Sequence, residues 1–155
     1  MKFCLQETHA AHSTCFGCGP ANPKGLRIRS MADERETVTA DWKPEAHHEA
    51  FPGMVNGGII GSLLDCHSNW TAAYGIMKRS GALHPPCTVT AEYSVKLLRP
   101  TPSGETLHLE AKAVEFPRDD RAWIEATLSV GGQVCATCRG LFVAVKPGHP
   151  AYHRW

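Results

Sequence analysis

The stretch Pro52–Trp70, PGMVNGGIIGSLLDCHSNW, sets one carboxylate, Asp65, inside an apolar run with helical spacing. A buried charge is expensive unless it is paired or put to use. On a helix, its neighbours at three and four positions are Gly61, Ser62, Ser68 and Asn69, with Gly58 one turn nearer the start. That face is small and polar, while the opposite side carries Ile59, Leu63, Trp70 and Met77. Small residues let another backbone or a ligand come close. Asn56-Gly57-Gly58 precedes the run. The first turn of any helix leaves N–H groups unpaired, and its dipole favours negative charge there. A donor-rich helix start about two turns from a carboxylate puts an oxyanion holder and a base or nucleophile on one element. The same pattern also fits a solvated polar face, or a helix–helix contact along the small residues.

Other constellations carry less chemistry. His9, His12, Cys15 and Cys18 recur at intervals of three. Tetrahedral zinc sites are built from two separated ligand pairs rather than one short run, so no metal is expected. Cys135 and Cys138 lie in an expected strand, where three positions apart means opposite faces and thiols that do not meet. His67 points away from Asp65 and reads as a packed helix histidine. His47-His48-Glu49 falls in the loop before the helix, at the entrance to any pocket there. Trp70, Tyr74 and Trp123 read as core aromatics.

The elements that position these residues follow from periodicity. Residues 1–24 are irregular, with a short helical turn expected around Ser13–Cys18. Leu26–Ser30 and Thr37–Trp42 alternate apolar and polar residues, as half-buried strands do, with Asp33–Glu36 as the charged turn between them. Lys43–Pro52 is a loop. Helical spacing runs from Gly57 to about Arg79 and is stopped by Gly81 and Pro85-Pro86. Strands follow at Thr88–Arg99, Thr106–Phe116, Ala122–Val130 and Val134–Val145, the last two joined by a Gly131-Gly132 hairpin turn. Two strands, one long helix and four antiparallel strands describe an α+β domain, most simply one antiparallel sheet wrapped around one central helix.

Bulk properties narrow the class. The chain of 155 residues suffices for a single domain, 1–155, with residues 1–24 packed on it. Its 16 basic and 15 acidic side chains give a formal net charge of +1, so nothing global argues for nucleic acid or a membrane surface. No apolar run reaches the roughly 20 residues of a membrane span. Seven cysteines without framework spacing fit reduced thiols, and a cytoplasmic location is expected.

The block FPGMVNGGIIGSLLD resembles the signature of hotdog-fold acyl-CoA thioesterases of the phenylacetyl-CoA (PaaI-like) type. In that family His-Gly-Gly opens the central helix and an acidic residue follows seven positions after the second glycine. Gly57-Gly58 and Asp65 keep this spacing. CFGCGPANPKGLRIRS and VKLLRPTPSGETLHLEAKAV resemble further segments of the family, in the same order along the chain. The resemblance implies a hotdog fold and a homodimer or homotetramer with sites at subunit interfaces. It implies acyl-CoA thioester hydrolysis without a cofactor. Asp65 would be general base or nucleophile, the Gly58 N–H would polarise the carbonyl, and Thr90 would help position water or acyl group, supplied by the partner subunit. Gly57, Met54, Ser62 and Asn69 would line the substrate. CoA carries phosphates, for which Lys96, Arg99, Arg118 and Arg121 are the candidate cations. Asn56 departs from the pattern by replacing the usual histidine. An amide donates a hydrogen bond but does not titrate near neutral pH. That departure keeps a hydrolytically silent acyl-CoA binder open as an alternative. A hotdog hydratase or dehydratase is the other, although no histidine shares Asp65's face.

Overall fold

The computed structural model describes every residue except Arg154. Strands β1 (Phe3–Cys4), β2 (Met31–Ala32), β3 (Val38–Trp42), β6 (Thr88–Leu97), β7 (Leu107–Arg118), β8 (Arg121–Val130) and β9 (Gln133–Ala144) form one seven-stranded antiparallel sheet. Its order is β1-β2-β3-β7-β8-β9-β6. A separate two-stranded ribbon, β4 (Glu49–Phe51) with β5 (Met54–Val55), leads into the long helix α2 (Gly57–Ser80). Helix α2 packs across β6, β7, β8 and β9. This is the hotdog arrangement of one sheet curved around one helix.

The core is where the two periodicities meet. Leu107, Leu109 and Ala111 of β7 and Ala122, Ile124, Ala126 and Leu128 of β8 are buried at every second position. They close on Leu63, Leu64 and Trp70 of α2. The helix starts at Asn56, whose side chain caps it, and stops at Gly81, whose φ of 72° is the left-handed geometry a helix end favours. Gly131 and Gly132, at φ 57° and 80°, make the tight β8–β9 turn.

Two local expectations fail. Leu26–Ser30 is an extended segment outside the sheet, and the strand begins only at Met31. Its alternation is real, since Leu26, Ile28 and Ser30 are buried, but its N–H groups pair with Phe16 and Gly17 rather than with a strand. The expected turn around Ser13–Cys18 is present, the Gly19 N–H meeting the Cys15 carbonyl at 2.8 Å, but residues 1–24 also hold a helix that the irregular reading missed, α1 (Leu5–His9). It has no side-chain cap and is too short to carry a periodic signal.

A buried polar chain ties the N-terminal segment to the helix. Gln6 Nε2 donates to Ser30 Oγ at 2.9 Å, and Ser30 Oγ meets His67 Nδ1 at 2.8 Å. His67 Nε2 lies 3.1 Å from the Val38 carbonyl. Both ring nitrogens are thus satisfied inside the core, and burial pushes the imidazole pKa down to about 4. His67 is a neutral packing histidine.

Candidate active site

Helix α2 runs antiparallel to the edge strand β6, so its small-residue face lies along that strand. A Cβ on Gly57 would stand 3.2 Å from Leu97, and one on Gly61 would stand 3.9 Å from the Tyr93 hydroxyl. One turn on, Thr90 Oγ1 donates to Asp65 Oδ1 at 2.6 Å. Asp65 is half-buried. Its charge, after burial itself, helps raise the Tyr93 phenol above its usual pKa. The carboxylate therefore sits on a polar strip between the helix and the sheet edge. The Thr90 that meets Asp65 here is that of the same chain, because β6 itself passes over the carboxylate.

The helix start differs from expectation in one respect. Gly58 N–H donates to Asn56 Oδ1 at 2.8 Å and Ile59 N–H to the same oxygen at 3.2 Å. The donor assigned to a thioester carbonyl is held by the helix's own cap. Asn56 accepts here rather than donates.

The remaining candidates divide. Met54 is half-buried in β5, beside Pro102. Ser62 Oγ donates back to the Gly58 carbonyl at 2.9 Å, still on the Asp65 face. Asn69 is buried and serves as a strut, its Nδ2 donating to the Thr88 carbonyl at 3.3 Å. Its Oδ1 has no hydrogen-bond partner among the described residues. The four candidate CoA cations do not form one patch within a chain. Lys96 and Arg99 lie at the Leu97 end of β6, near the helix start, with Arg99 bonded to Gln133 at 2.8 Å. Arg118 and Arg121 flank the β7–β8 turn at the Thr88 end, and Arg121 pairs with Asp120 at 2.9 Å. A strand rises about 3.3 Å per residue, so the length of β6 separates the two pairs.

Two concavities lie away from Asp65. A depression of about 510 Å³ sits on the outer sheet face, lined by Ser94, Lys96, Glu110, Lys112, Glu125 and Arg139. Another of about 270 Å³ borders the second half of α2, at Tyr74, Gly75 and Phe116. The charges around the first alternate in sign, as on a solvated sheet face.

The loop before the helix is braced internally. His48 packs on Trp42 with ring centroids 4.8 Å apart and accepts the Glu45 N–H on Nδ1. Glu49 accepts from Ser103 Oγ and from the Gly53 N–H. Trp70 and Tyr74 are buried, whereas Trp123 is half-buried under the Arg139 guanidinium. The His9–His12–Cys15–Cys18 run does not gather as one group: His9 packs against Phe3 and His84, and the two cysteines turn to α2. Among the described residues no helix is long and apolar enough to cross a membrane.

No protein-family model and no curated protein matches the chain. Solved structures do. One thioesterase superfamily protein superposes with a TM-score of 0.69 at 26% identity, covering 83% of this chain. The chain spans 62% of that protein's length. A Streptococcus mutans UA159 protein bound to acetyl CoA superposes with a TM-score of 0.63 at 18% identity, over 76% of this chain and 88% of its own, and shares the fold. A thioesterase superfamily protein from Shewanella loihica PV-4 is 30% identical with a TM-score of 0.62, over 79% of this chain and 92% of its own. Such identity over nearly the whole of a relative, on the same sheet-and-helix frame, means that the chain belongs to the thioesterase superfamily.

Proposed function

We propose that the protein hydrolyses small or medium acyl-CoA thioesters, with Asp65 as general base or nucleophile and the start of α2 facing the thioester carbonyl. The observation that carries this reading is a carboxylate oriented by Thr90 on the small-residue face of the central helix, in a chain of the thioesterase superfamily. As base, Asp65 takes a proton from the water that attacks the carbonyl carbon. As nucleophile, it forms a mixed anhydride that water then opens. In either route the CoA sulfur leaves and is protonated. The carbonyl oxygen takes the Gly58 N–H in exchange for the Asn56 carboxamide, which holds that donor in the unliganded chain.

The site completes itself in a homodimer. Strand β6 is an edge, and Tyr93 and Leu97 on it and Leu98 just past its end are 46%, 56% and 57% exposed. A ten-residue edge strand that exposes apolar side chains is a template for pairing. A second copy along β6 covers it and turns the Asp65 strip into an interface cleft. Binding of acetyl CoA by a fold neighbour supports the ligand class, with Lys96 and Arg99 at the helix-start end as the nearer phosphate partners.

The capped Gly58 N–H specifically favours a second reading, a hotdog protein that binds acyl-CoA without hydrolysing it. A hydratase or dehydratase is disfavoured, because both nitrogens of His67, the helix's histidine, are spent in the core. The deciding experiment follows loss of thioester chromatographically across aromatic and aliphatic acyl-CoAs, with wild type beside Asp65→Asn. Turnover by wild type and a fall of two or more orders of magnitude in the variant is expected. Binding by both with hydrolysis by neither hands the site to the second reading.

A further inference from the structure

Three of the seven thiols come together beneath the N-terminal segment. Residues 15–18 turn back against α2, where Cys66 follows Asp65. The sulfurs of Cys15, Cys18 and Cys66 all lie within 4.8 Å of one another, with Cys15 and Cys66 at 3.8 Å. Gly17 makes the approach possible, since a Cβ there would stand 2.3 Å from Cys66 Sγ. The cluster also draws hydrogen-bond donors. The Trp70 indole N–H points to Cys18 Sγ at 3.3 Å, and the backbone N–H groups of Gly17 and Cys18 point to the Cys15 sulfur. Neutral thiols are weak acceptors and gain little from such an array. Thiolates gain from every donor.

We propose that Cys15, Cys18 and Cys66 form a three-thiolate site for a thiophilic d10 cation, Zn²⁺ or Cu⁺. A Zn–S bond of about 2.3 Å places tetrahedral thiolates about 3.8 Å apart, which matches the Cys15–Cys66 separation. Among the described residues no histidine, aspartate or glutamate joins the group. An all-sulfur ligand set selects Zn²⁺ and Cu⁺ over Mg²⁺, Ca²⁺ or Mn²⁺. Three sulfurs give Cu⁺ a trigonal shell and leave Zn²⁺ a fourth position for solvent. The N–H groups of Trp70, Gly17 and Cys18 form the outer shell that steadies the net negative charge of the bound thiolates. Metal entry displaces the thiol protons, so affinity falls with acid. The role is a clamp that fastens residues 15–18 to the helix carrying Asp65. It is independent of the thioester reading and stands whether or not the protein hydrolyses anything.

The test is metal titration of the full chain, reduced, stripped of metal and kept free of oxygen. Co²⁺ serves as the spectroscopic stand-in for Zn²⁺. Expected are thiolate-to-cobalt charge-transfer bands that saturate at about one ion per chain and are bleached by added Zn²⁺. Cu⁺ is measured by competition against a coloured Cu⁺ chelator, and the tighter of the two ions names the occupant. Cys15→Ser, Cys18→Ser and Cys66→Ser should each weaken binding at least tenfold, while Cys87→Ser and Cys135→Ser leave it unchanged. The wild-type titration does not depend on any variant folding. Folded, reduced wild type that binds neither ion stoichiometrically overturns the site, as does binding that survives all three serine changes.

Discussion

Thr90 Oγ1 and Asp65 Oδ1 lie 2.6 Å apart, and this one bond joins the sheet's edge strand to the middle of its central helix. A hydroxyl donating to a carboxylate is charge-assisted and fixes the rotamer of the acid. Thr90→Val keeps the shape and removes the donor. Its kcat/KM for the preferred acyl-CoA should fall about ten- to a hundredfold, with Thr90→Ser restoring most of it. Unchanged kcat/KM in the valine variant would remove Thr90 from the site.

At the helix start, cap and carbonyl donor compete for one N–H. Asn56→Asp preserves the capping oxygen and suits the helix dipole, so stability in urea should hold or rise slightly. The added negative charge opposes a developing oxyanion, and turnover should drop at least tenfold. Asn56→Ala loses the cap, at a cost of about 1 kcal/mol. A shifted urea midpoint at unchanged slope measures it.

His67 makes stability depend on pH. Its folded pKa is pushed down to about 4 by burial, whereas the unfolded side chain titrates near its ordinary 6.5. The unfolded chain therefore takes up the proton first. The contribution is whole above pH 6.5 and is lost as pH falls toward 4, by roughly 3 kcal/mol in all. Urea unfolding between pH 7 and pH 4 should show wild type losing this much more stability than His67→Gln. Parallel curves would contradict it.

Leu97→Lys places a charge on the exposed edge near the helix start. Edge lysines oppose strand pairing. Light scattering should report monomer for the variant and dimer for wild type, with acyl-CoA turnover lost alongside. Dimeric variant with full activity would place the assembly on another face.

How much was legible depended on whether a residue's partner was near in sequence. The helix and its ends were legible, because Asn56, Gly81 and the apolar spacing between them act locally. So were β6 to β9, where alternation and tight turns agree. Leu26–Ser30 carried the right burial and the wrong element, since alternation records which side chains point inward and not where the N–H groups pair. The site was half legible. Asp65 stood out as a charge in an apolar run. That Thr90 reaches it within one chain, that Asn56 takes the Gly58 N–H, and that Cys66 meets Cys15 all depend on tertiary approach. Spacing does not encode such contacts.

The strand order also governs how the chain must fold. β7, β8 and β9 are consecutive and joined by short turns, so they can pair early at little entropic cost. The Val38–Ala111 pairing instead joins β3 to β7 across α2 and β6, and forms only after a long loop closes. Until then the β7 flank of the meander is an open edge. The rate of that one closure sets how long the nascent sheet is exposed to its neighbours, and a crowded cell acts on that interval rather than on the finished fold.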